Sequence, residues 1–413
     1  MGKVKPAAEP RQPGRGDGIV LAILALLLTV ATGWLLYRDW STPHVLHQRQ
    51  FRLAVEQRFG ADAARAVPSG IVQIWIPQTG DANRCVSCHV AATWRGFDAA
   101  DEPLRTHRTD ILRVHPVERF GCTLCHGGQG WAVDRERAHG QVAYWDEPLF
   151  DTALARSLMP GLGRRALMEL RCNVCHRYER ETVGTPEVNR AKRLVDLKGC
   201  RACHRVNGRG GLIGPDLDWV GGKNPEQYDY SHLTGRPSAF RWQAAHFEDP
   251  RGLVPDTVMP NFHFSPDEIR ALTLLAMSWR RAPLDASLTG NLPRSDPQPE
   301  EERRLAAEME RGPGGWFVRT GCYTCHPVSV FGVKSPTPIG PDLSTAADDV
   351  ERRFSRPIDV FVRNPVGTMK AVFSRQFMLS AAEKDEAIRQ LRAAFVAYEA
   401  AQAAGRSARA PAK

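Results

Sequence analysis

Five copies of the motif Cys-x-x-Cys-His constrain this chain of 413 residues more than any other feature. The copies are Cys85–His89, Cys122–His126, Cys172–His176, Cys200–His204 and Cys322–His326, and together they contain all ten cysteines. In this motif, two thiols add to the vinyl groups of a haem and the adjacent imidazole is placed to bind the iron. Zinc sites do not require a His directly after every second Cys, and a disulfide framework does not require five such pairs.

The motifs therefore predict five covalently bound haems c, which we number 1 to 5 in chain order. The predicted attachment residues are Cys85, Cys88, Cys122, Cys125, Cys172, Cys175, Cys200, Cys203, Cys322 and Cys325. The predicted proximal iron ligands are His89, His126, His176, His204 and His326.

Composition favours a mainly α fold with much irregular loop. Glycine and proline are frequent, at 35 and 30 residues, which favours loops around haems over extended sheets. Aromatic residues make up 8% of the chain, and haems can supply the missing apolar core. The formal charge of +9 does not indicate a nucleic-acid partner, because haem propionates would offset about ten positive charges.

The N-terminal part predicts a single-pass membrane protein. Residues 1–17 form a basic tail, and residues 18–37 carry no charge over a length that crosses a bilayer as a helix. The basic tail is expected in the cytoplasm by the positive-inside rule. The alternative is a cleaved signal peptide, although the apolar run has no clear cleavage site. We expect location in a bacterial inner membrane, with the bulk of the chain in the periplasm.

A helical stalk is predicted over residues 38–84. Within it, residues 44–66 form an amphipathic pattern that places Leu46, Phe51, Val55 and Phe59 near one face. His44 and His47 are candidate haem ligands by residue type, but their position after the anchor favours surface or stalk residues.

A trihaem region is predicted over residues 85–185. Outside the motifs it contains three histidines, one for each haem, and we expect them to be distal ligands in bis-His coordination. These histidines are His107, His115 and His139. Which histidine serves which haem is open, and Met159 is an alternative sixth ligand for haem 3.

Two similar units follow, at residues 186–282 and 299–399. Each has a helical run, Gly-Cys-x-x-Cys-His, the sequence Gly-Pro-Asp-Leu, and a final helix that begins with a capping box at Ser265 or Ser380. A proline-rich linker at 283–298 joins them, and a disordered tail is predicted over 400–413.

These repeated features resemble class I cytochrome c domains. The resemblance implies that the carbonyls of Pro215 and Pro341 hold the proximal imidazoles of His204 and His326. It also implies a Met ligand before the last helix, which in the first unit is Met259. The second unit offers Met369 and Met378; Met369 is preferred because Met378 lies two residues from the helix cap. Three further histidines of the first unit are expected at the surface or in loops: His232, His246 and His263.

The first half is similar to membrane-anchored multihaem cytochromes of bacterial quinol-oxidising complexes, on the evidence of the run from Phe120 to Gly130. With ten proximal and distal ligands for five irons, each haem can be six-coordinate, which predicts an electron carrier of the respiratory chain and no catalytic residues. Expected partners are the lipid bilayer, a membrane quinol oxidoreductase or terminal oxidase, and a soluble cytochrome. The alternative is a reductase or oxidase of a small nitrogen, sulfur or peroxide species at an open haem.

Overall fold

The structure is a computed structural model that describes residues 14–143, 145, 147–281, 285–296 and 298–408. Most of the basic tail, residues 1–13, lies outside this part of the chain. The fold is mainly helical, with much loop. The chain divides into two compact units, Met1–Leu149 and Phe150–Lys413.

The first unit begins with a long helix, α1 (Arg15–Trp40), which extends past both ends of the predicted anchor at 18–37. Its apolar side chains, such as Leu28 and Leu36, are exposed along the described length. Among the described residues it is the one helix that is long and apolar enough to cross a membrane. A signal sequence has the same properties, so the membrane anchor stays a prediction.

The rest of the first unit consists of short helices and one hairpin. Its helices are α2 (Pro43–Phe59), α3 (Ala61–Arg65), α4 (Thr109–Val114), α5 (Val117–Phe120), α6 (Thr123–His126) and α7 (Arg135–Ala138). The strands β1 (Ile74–Ile76) and β2 (Asp81–Asn83) pair antiparallel, with Ile74 opposite Asn83. The structure therefore differs from the helical stalk expected over 38–84, because helix ends at Arg65 and a loop and hairpin follow.

Helix α2 buries a narrower face than the sequence pattern indicated. Phe51 and Val55 are fully buried, as predicted, whereas Leu46 and Phe59 are each 49% exposed. His44 precedes Phe51 by two helical turns and shares its face, and it is only 8% exposed. The expectation that His44 is a surface residue is therefore wrong.

The second unit contains the remaining helices and a second hairpin. They are α8 (Thr152–Leu158), α9 (Arg164–His176), α10 (Pro186–Leu197), α11 (Ala239–Glu248), α12 (Pro250–Leu253), α13 (Pro266–Ser278), α14 (Ala286–Thr289), α15 (Glu300–Arg311), α16 (Gly315–Arg319), α17 (Ala346–Phe354), α18 (Ile358–Arg363), α19 (Thr368–Arg375) and α20 (Ala381–Ala408). The hairpin pairs β3 (Arg205–Val206) with β4 (Arg209–Gly210).

Helices α9, α10 and α13 share one core. Leu167, Val188, Ala191 and Leu274 are each at most 1% exposed within it. Because α9 ends at His176, the third motif packs with the segment that carries the fourth. This arrangement differs from the trihaem region expected over 85–185, since the chain divides after Leu149.

One buried hydrogen bond fixes the third motif on α13. Asn173, inside that motif, donates from Nδ2 to Oγ of Ser278 at 2.7 Å, and both residues are at most 1% exposed. We expect Asn173→Ala to lower the free energy of unfolding by about 1–3 kcal/mol, because Ser278 Oγ loses the donor that it accepts from in a buried site. Denaturant unfolding of the haem-loaded protein measures this change. The exposed Asn291→Ala is the control, and an equal loss in both variants would contradict the assignment.

A second helical core forms from residues 300–408. Phe317, Ile388 and Ala394 are buried in it. The capping box at the start of α20 is confirmed, since Ser380 Oγ and backbone N both donate to Oε2 of Glu383 at 2.7 Å. Helix α20 runs to Ala408, so the tail expected to be disordered from residue 400 is helical over 400–408; residues 409–413 lie outside the described part.

The two cores of the second unit contact one another close to their motifs. Arg375 Nη1 donates to the carbonyl of Ile213 at 2.9 Å. The linker also packs here: Asp296 pairs with Arg201, inside the fourth motif, at 2.5 Å and with Arg209 at 3.4 Å. Residues 285–296 of the expected linker are thus partly ordered, and they include the short helix α14.

Candidate haem sites

The imidazoles of the fourth and fifth motifs are each held by a proline carbonyl. Nδ1 of His204 lies 2.8 Å from the oxygen of Pro215, and Nδ1 of His326 lies 2.7 Å from the oxygen of Pro341. A carbonyl only accepts, so Nδ1 carries the proton and Nε2 keeps its lone pair for a metal. The structure thus contains both hydrogen bonds that the class I resemblance implied.

The same geometry explains the glycine in each Gly-Pro-Asp-Leu sequence. A Cβ on Gly214 would collide with the ring of His204, and a Cβ on Gly340 would collide with the ring of His326. Only glycine lets the backbone approach an imidazole this closely. Both residues therefore fit a site in which an imidazole is clamped on one side and must present Nε2 to an iron.

The first two motifs each have a second imidazole nearby. The ring centres of His107 and His126 are 6.0 Å apart, and those of His89 and His139 are 6.4 Å apart. A metal–imidazole bond is about 2 Å and each ring centre lies about 1 Å behind its nitrogen, so trans ligands have centres about 6 Å apart. Both separations fit a haem iron between two imidazoles.

His139 is positioned by the glycine-rich run after the second motif. Gly128 has φ +82°, and its Cβ would collide with the carbonyl of Ala138. Gln129 N donates to that carbonyl at 2.9 Å, and Leu149 N donates to the carbonyl of His139 at 2.9 Å. Two backbone hydrogen bonds therefore hold the segment that carries His139.

Attachment cysteines of successive motifs lie near one another. The thiols of Cys85 and Cys122 lie beside each other, and their interaction lowers the pKa of Cys85 and raises that of Cys122. Burial raises the pKa of Cys325 to about 12, and the nearby Cys203 adds to the rise. No disulfide joins any of the ten cysteines, all of which the structure describes as partly buried.

The third motif has a carboxylate beside its histidine. Nδ1 of His176 lies 2.9 Å from Oε2 of Glu179, and the two side chains are 20% and 25% exposed. Met159, the alternative ligand of haem 3, is 8% exposed and packs in the core around Leu167. His115 is partly buried in the first unit, with its ring centre 5.1 Å from that of Phe120.

Two side chains of the segment that follows the fourth motif are candidates for the second ligand of a haem bound there. Met259 is partly buried in the loop before α13, where its backbone N donates to Thr257 Oγ1 at 3.2 Å. His246 lies on α11, with its ring stacked on Trp242 at 5.0 Å. Burial, with a smaller contribution from His204, lowers the pKa of His246 to about 4. His246 was expected at the surface or in a loop, and that expectation is wrong; His232 and His263 are exposed, as expected.

The two methionines near the fifth motif differ in burial. Met369, at the start of α19, is partly buried and packs against the core around Phe361. Met378 is 80% exposed. The choice of Met369 as the iron ligand stays a prediction, and the difference in burial favours it.

Sequence reasoning missed three residues that lie close to the motifs. His47 influences the pKa of His89, which burial lowers, and Nδ1 of His47 has no hydrogen-bond partner among the described residues. His246 and Glu179 are the other two. Counting helical positions backwards from Phe51 would have placed His44 on the buried face. No local signal identifies Glu179 as a partner of His176.

The family model for cytochrome c matches residues 188–274. This range contains most of α10, the fourth motif, Pro215 and Met259, whose geometry is described above. No curated protein and no solved structure matches the chain. A cytochrome c domain binds haem covalently and transfers electrons. The chain therefore contains a cytochrome c domain over residues 188–274, which makes a c-type cytochrome the supported class.

Proposed function

We propose that this protein is a membrane-anchored, periplasmic electron carrier with five covalent haems c. It receives electrons from a membrane quinol-oxidising complex and passes them toward a soluble cytochrome or a terminal oxidase. The anchor is α1, and residues 300–408 form a second cytochrome c domain beside the one that matches the family.

The observation that carries the proposal is the common geometry of the motif histidines. His204 and His326 each present Nε2 because Nδ1 is bound to a proline carbonyl. His89 and His126 each have a second imidazole at a ring-centre separation that would leave room for an iron between the two rings. This geometry supports haem at four of the five motifs, and the third motif has the same sequence pattern.

The chain's own residues attach, orient and tune each haem. The cysteine pairs would form thioethers, and the five motif histidines would bind iron from one side. His107, His115 and His139 would supply the distal ligands of haems 1 to 3, with His139 beside His89 of haem 1 and His107 beside His126 of haem 2. Met259 and Met369 would be those of haems 4 and 5. Bound haem supplies one-electron chemistry, and the protein sets its potential through these ligands.

Proximity of the motifs supports electron transfer along the chain. Cys85 lies beside Cys122, and Cys203 lies near Cys325, so haems attached there would be neighbours. Met ligation raises the reduction potential relative to bis-His ligation. Electrons would therefore run from haems 1–3 toward haems 4 and 5.

Haem content and spin state test the proposal. We expect mass spectrometry of the purified protein to show five covalent haems, and electron paramagnetic resonance of the oxidised protein to show low-spin ferric signals. Fewer than five haems would contradict the motif assignment. A high-spin signal in the intact protein would instead favour an enzyme with an open haem.

A further inference from the structure

We propose that Glu179 lowers the reduction potential of haem 3 through the negative charge that its carboxylate places beside Nδ1 of His176. The inference rests on the proposed function to the extent that it needs a haem at the third motif. Glu179 is a tuning residue three positions after His176, and it would hold haem 3 below haems 4 and 5 in potential.

The contact is built into a fixed loop. Glu179 Oε2 lies 2.9 Å from Nδ1 of His176 and also accepts a hydrogen bond from Thr182 Oγ1 at 3.0 Å. Lys192 Nζ donates to the carbonyls of both His176 and Glu179, at 2.9 and 2.8 Å. Arg177, between them, donates to the carbonyl of Asp218 at 2.9 Å. Thr182 therefore positions the carboxylate, while Lys192 fixes the backbone carbonyls of His176 and Glu179.

The other motifs offer weaker partners to Nδ1. His204 and His326 donate to neutral carbonyls. His89 Nδ1 is 3.6 Å from Oε2 of Glu102, which is beyond a hydrogen bond, and the Glu102 side chain is 54% exposed. Among these four motifs, only the third therefore pairs its histidine with a carboxylate at hydrogen-bonding distance.

The expected effect follows from charge. A carboxylate beside Nδ1 favours positive charge on the ring, so Nε2 donates more strongly to iron. The negative charge also stabilises ferric iron over ferrous iron, since the ferric site carries one more positive charge. Both effects lower the reduction potential of haem 3. The neutral carbonyls beside His204 and His326 would produce only part of these effects at haems 4 and 5.

Replacing the carboxylate by its neutral isostere is the direct test. In the full-length, haem-loaded protein, we expect Glu179→Gln to shift the ferrous-to-ferric ratio of one haem by tenfold or more at fixed electrode potential. That is an upward shift of at least about 59 mV for one electron. The low-spin resonance of the same haem should move, because the electronic character of its ligand changes. The other four components should stay in place.

Two further variants separate the effect of the carboxylate beside Nδ1 from the effect of the loop's net charge and from an effect on folding. Glu181→Gln removes an equal charge from the same loop, but Glu181 is 64% exposed and pairs with Arg193, so we expect a shift below threefold. Thr182→Val removes the competing donor to Glu179 and should move the haem 3 component downward. An equal shift in the Glu179 and Glu181 variants would overturn the proposal.

Haem on the peptide from Cys172 to His176 distinguishes a failure of this inference from a failure of the proposed function. If the peptide from Cys172 to His176 carries haem and Glu179→Gln leaves every potential unchanged, this inference is wrong and the proposed function stands. If that peptide carries no haem in the wild-type protein, the third haem of the proposed function fails and the inference fails with it.

Discussion

Replacing Cys200 and Cys203 together by Ala should remove haem 4 and unfold the core that surrounds the fourth motif. Cys200 packs against the core of α9, α10 and α13, and Ala202, between the two cysteines, is 1% exposed. Losing a cofactor from such a position belongs to the rare class of changes that cost more than about 4–5 kcal/mol. Mass spectrometry should show four haems in place of five, and limited proteolysis should cleave within residues 164–279.

The matched control is Cys85→Ala with Cys88→Ala. This variant should also lose one haem, but both residues lie in the unit that ends at Leu149. Residues 164–279 should therefore stay resistant to protease. The expectation fails if the Cys200/Cys203 variant keeps a resistant fragment over these residues, since the polypeptide alone would then form the core.

Exchanging the methionine ligands for histidine should lower two reduction potentials, one in each variant. Met259→His and Met369→His would each replace a thioether, which favours ferrous iron, with an imidazole. We expect a fall on the order of 0.1–0.3 V, within the roughly 0.8 V range that axial ligands span. A potentiometric titration followed in the visible spectrum resolves the components, and two high-potential components should be present in the wild-type protein.

Met378→His is the control for Met369→His. Its side chain is 80% exposed, so the change should leave all five potentials in place. For haem 4, the competing side chain is His246, whose ring is stacked on Trp242. If Met259→His has no effect on any potential whereas His246→Leu shifts one, His246 is the ligand and the assignment of Met259 is wrong.

Features that depend only on residues close together in the sequence could be predicted from the sequence. The capping boxes at Ser265 and Ser380 are confirmed, because a cap and its partner lie three residues apart and need no tertiary contact. Helix α10 follows the helical run of Asn189 to Leu194 for the same reason. The hydrogen bond from His204 to Pro215 spans eleven residues, and it was reached only through the resemblance to a family.

Prediction from the sequence failed where the burial of a residue depends on distant segments of the chain. His44 and His246 were expected at the surface, since an isolated histidine is polar and carries no periodic signal of its own. Tertiary packing buries His44 and half-buries His246, whose pKa this burial lowers. The end of α2 shows the opposite case, because Phe59 fits the apolar pattern but remains 49% exposed.

The sequence by itself determined the number of Cys-x-x-Cys-His motifs and predicted their histidines as proximal ligands, because the thioether chemistry requires cysteines and a histidine at fixed spacing. Only the tertiary structure decided which imidazoles face each other, since His107 and His126, or His89 and His139, are brought together by loops. It also joined the third motif to the helices around the fourth and put Glu179 against His176. Such pairings are set by long-range packing, which residue spacing does not encode.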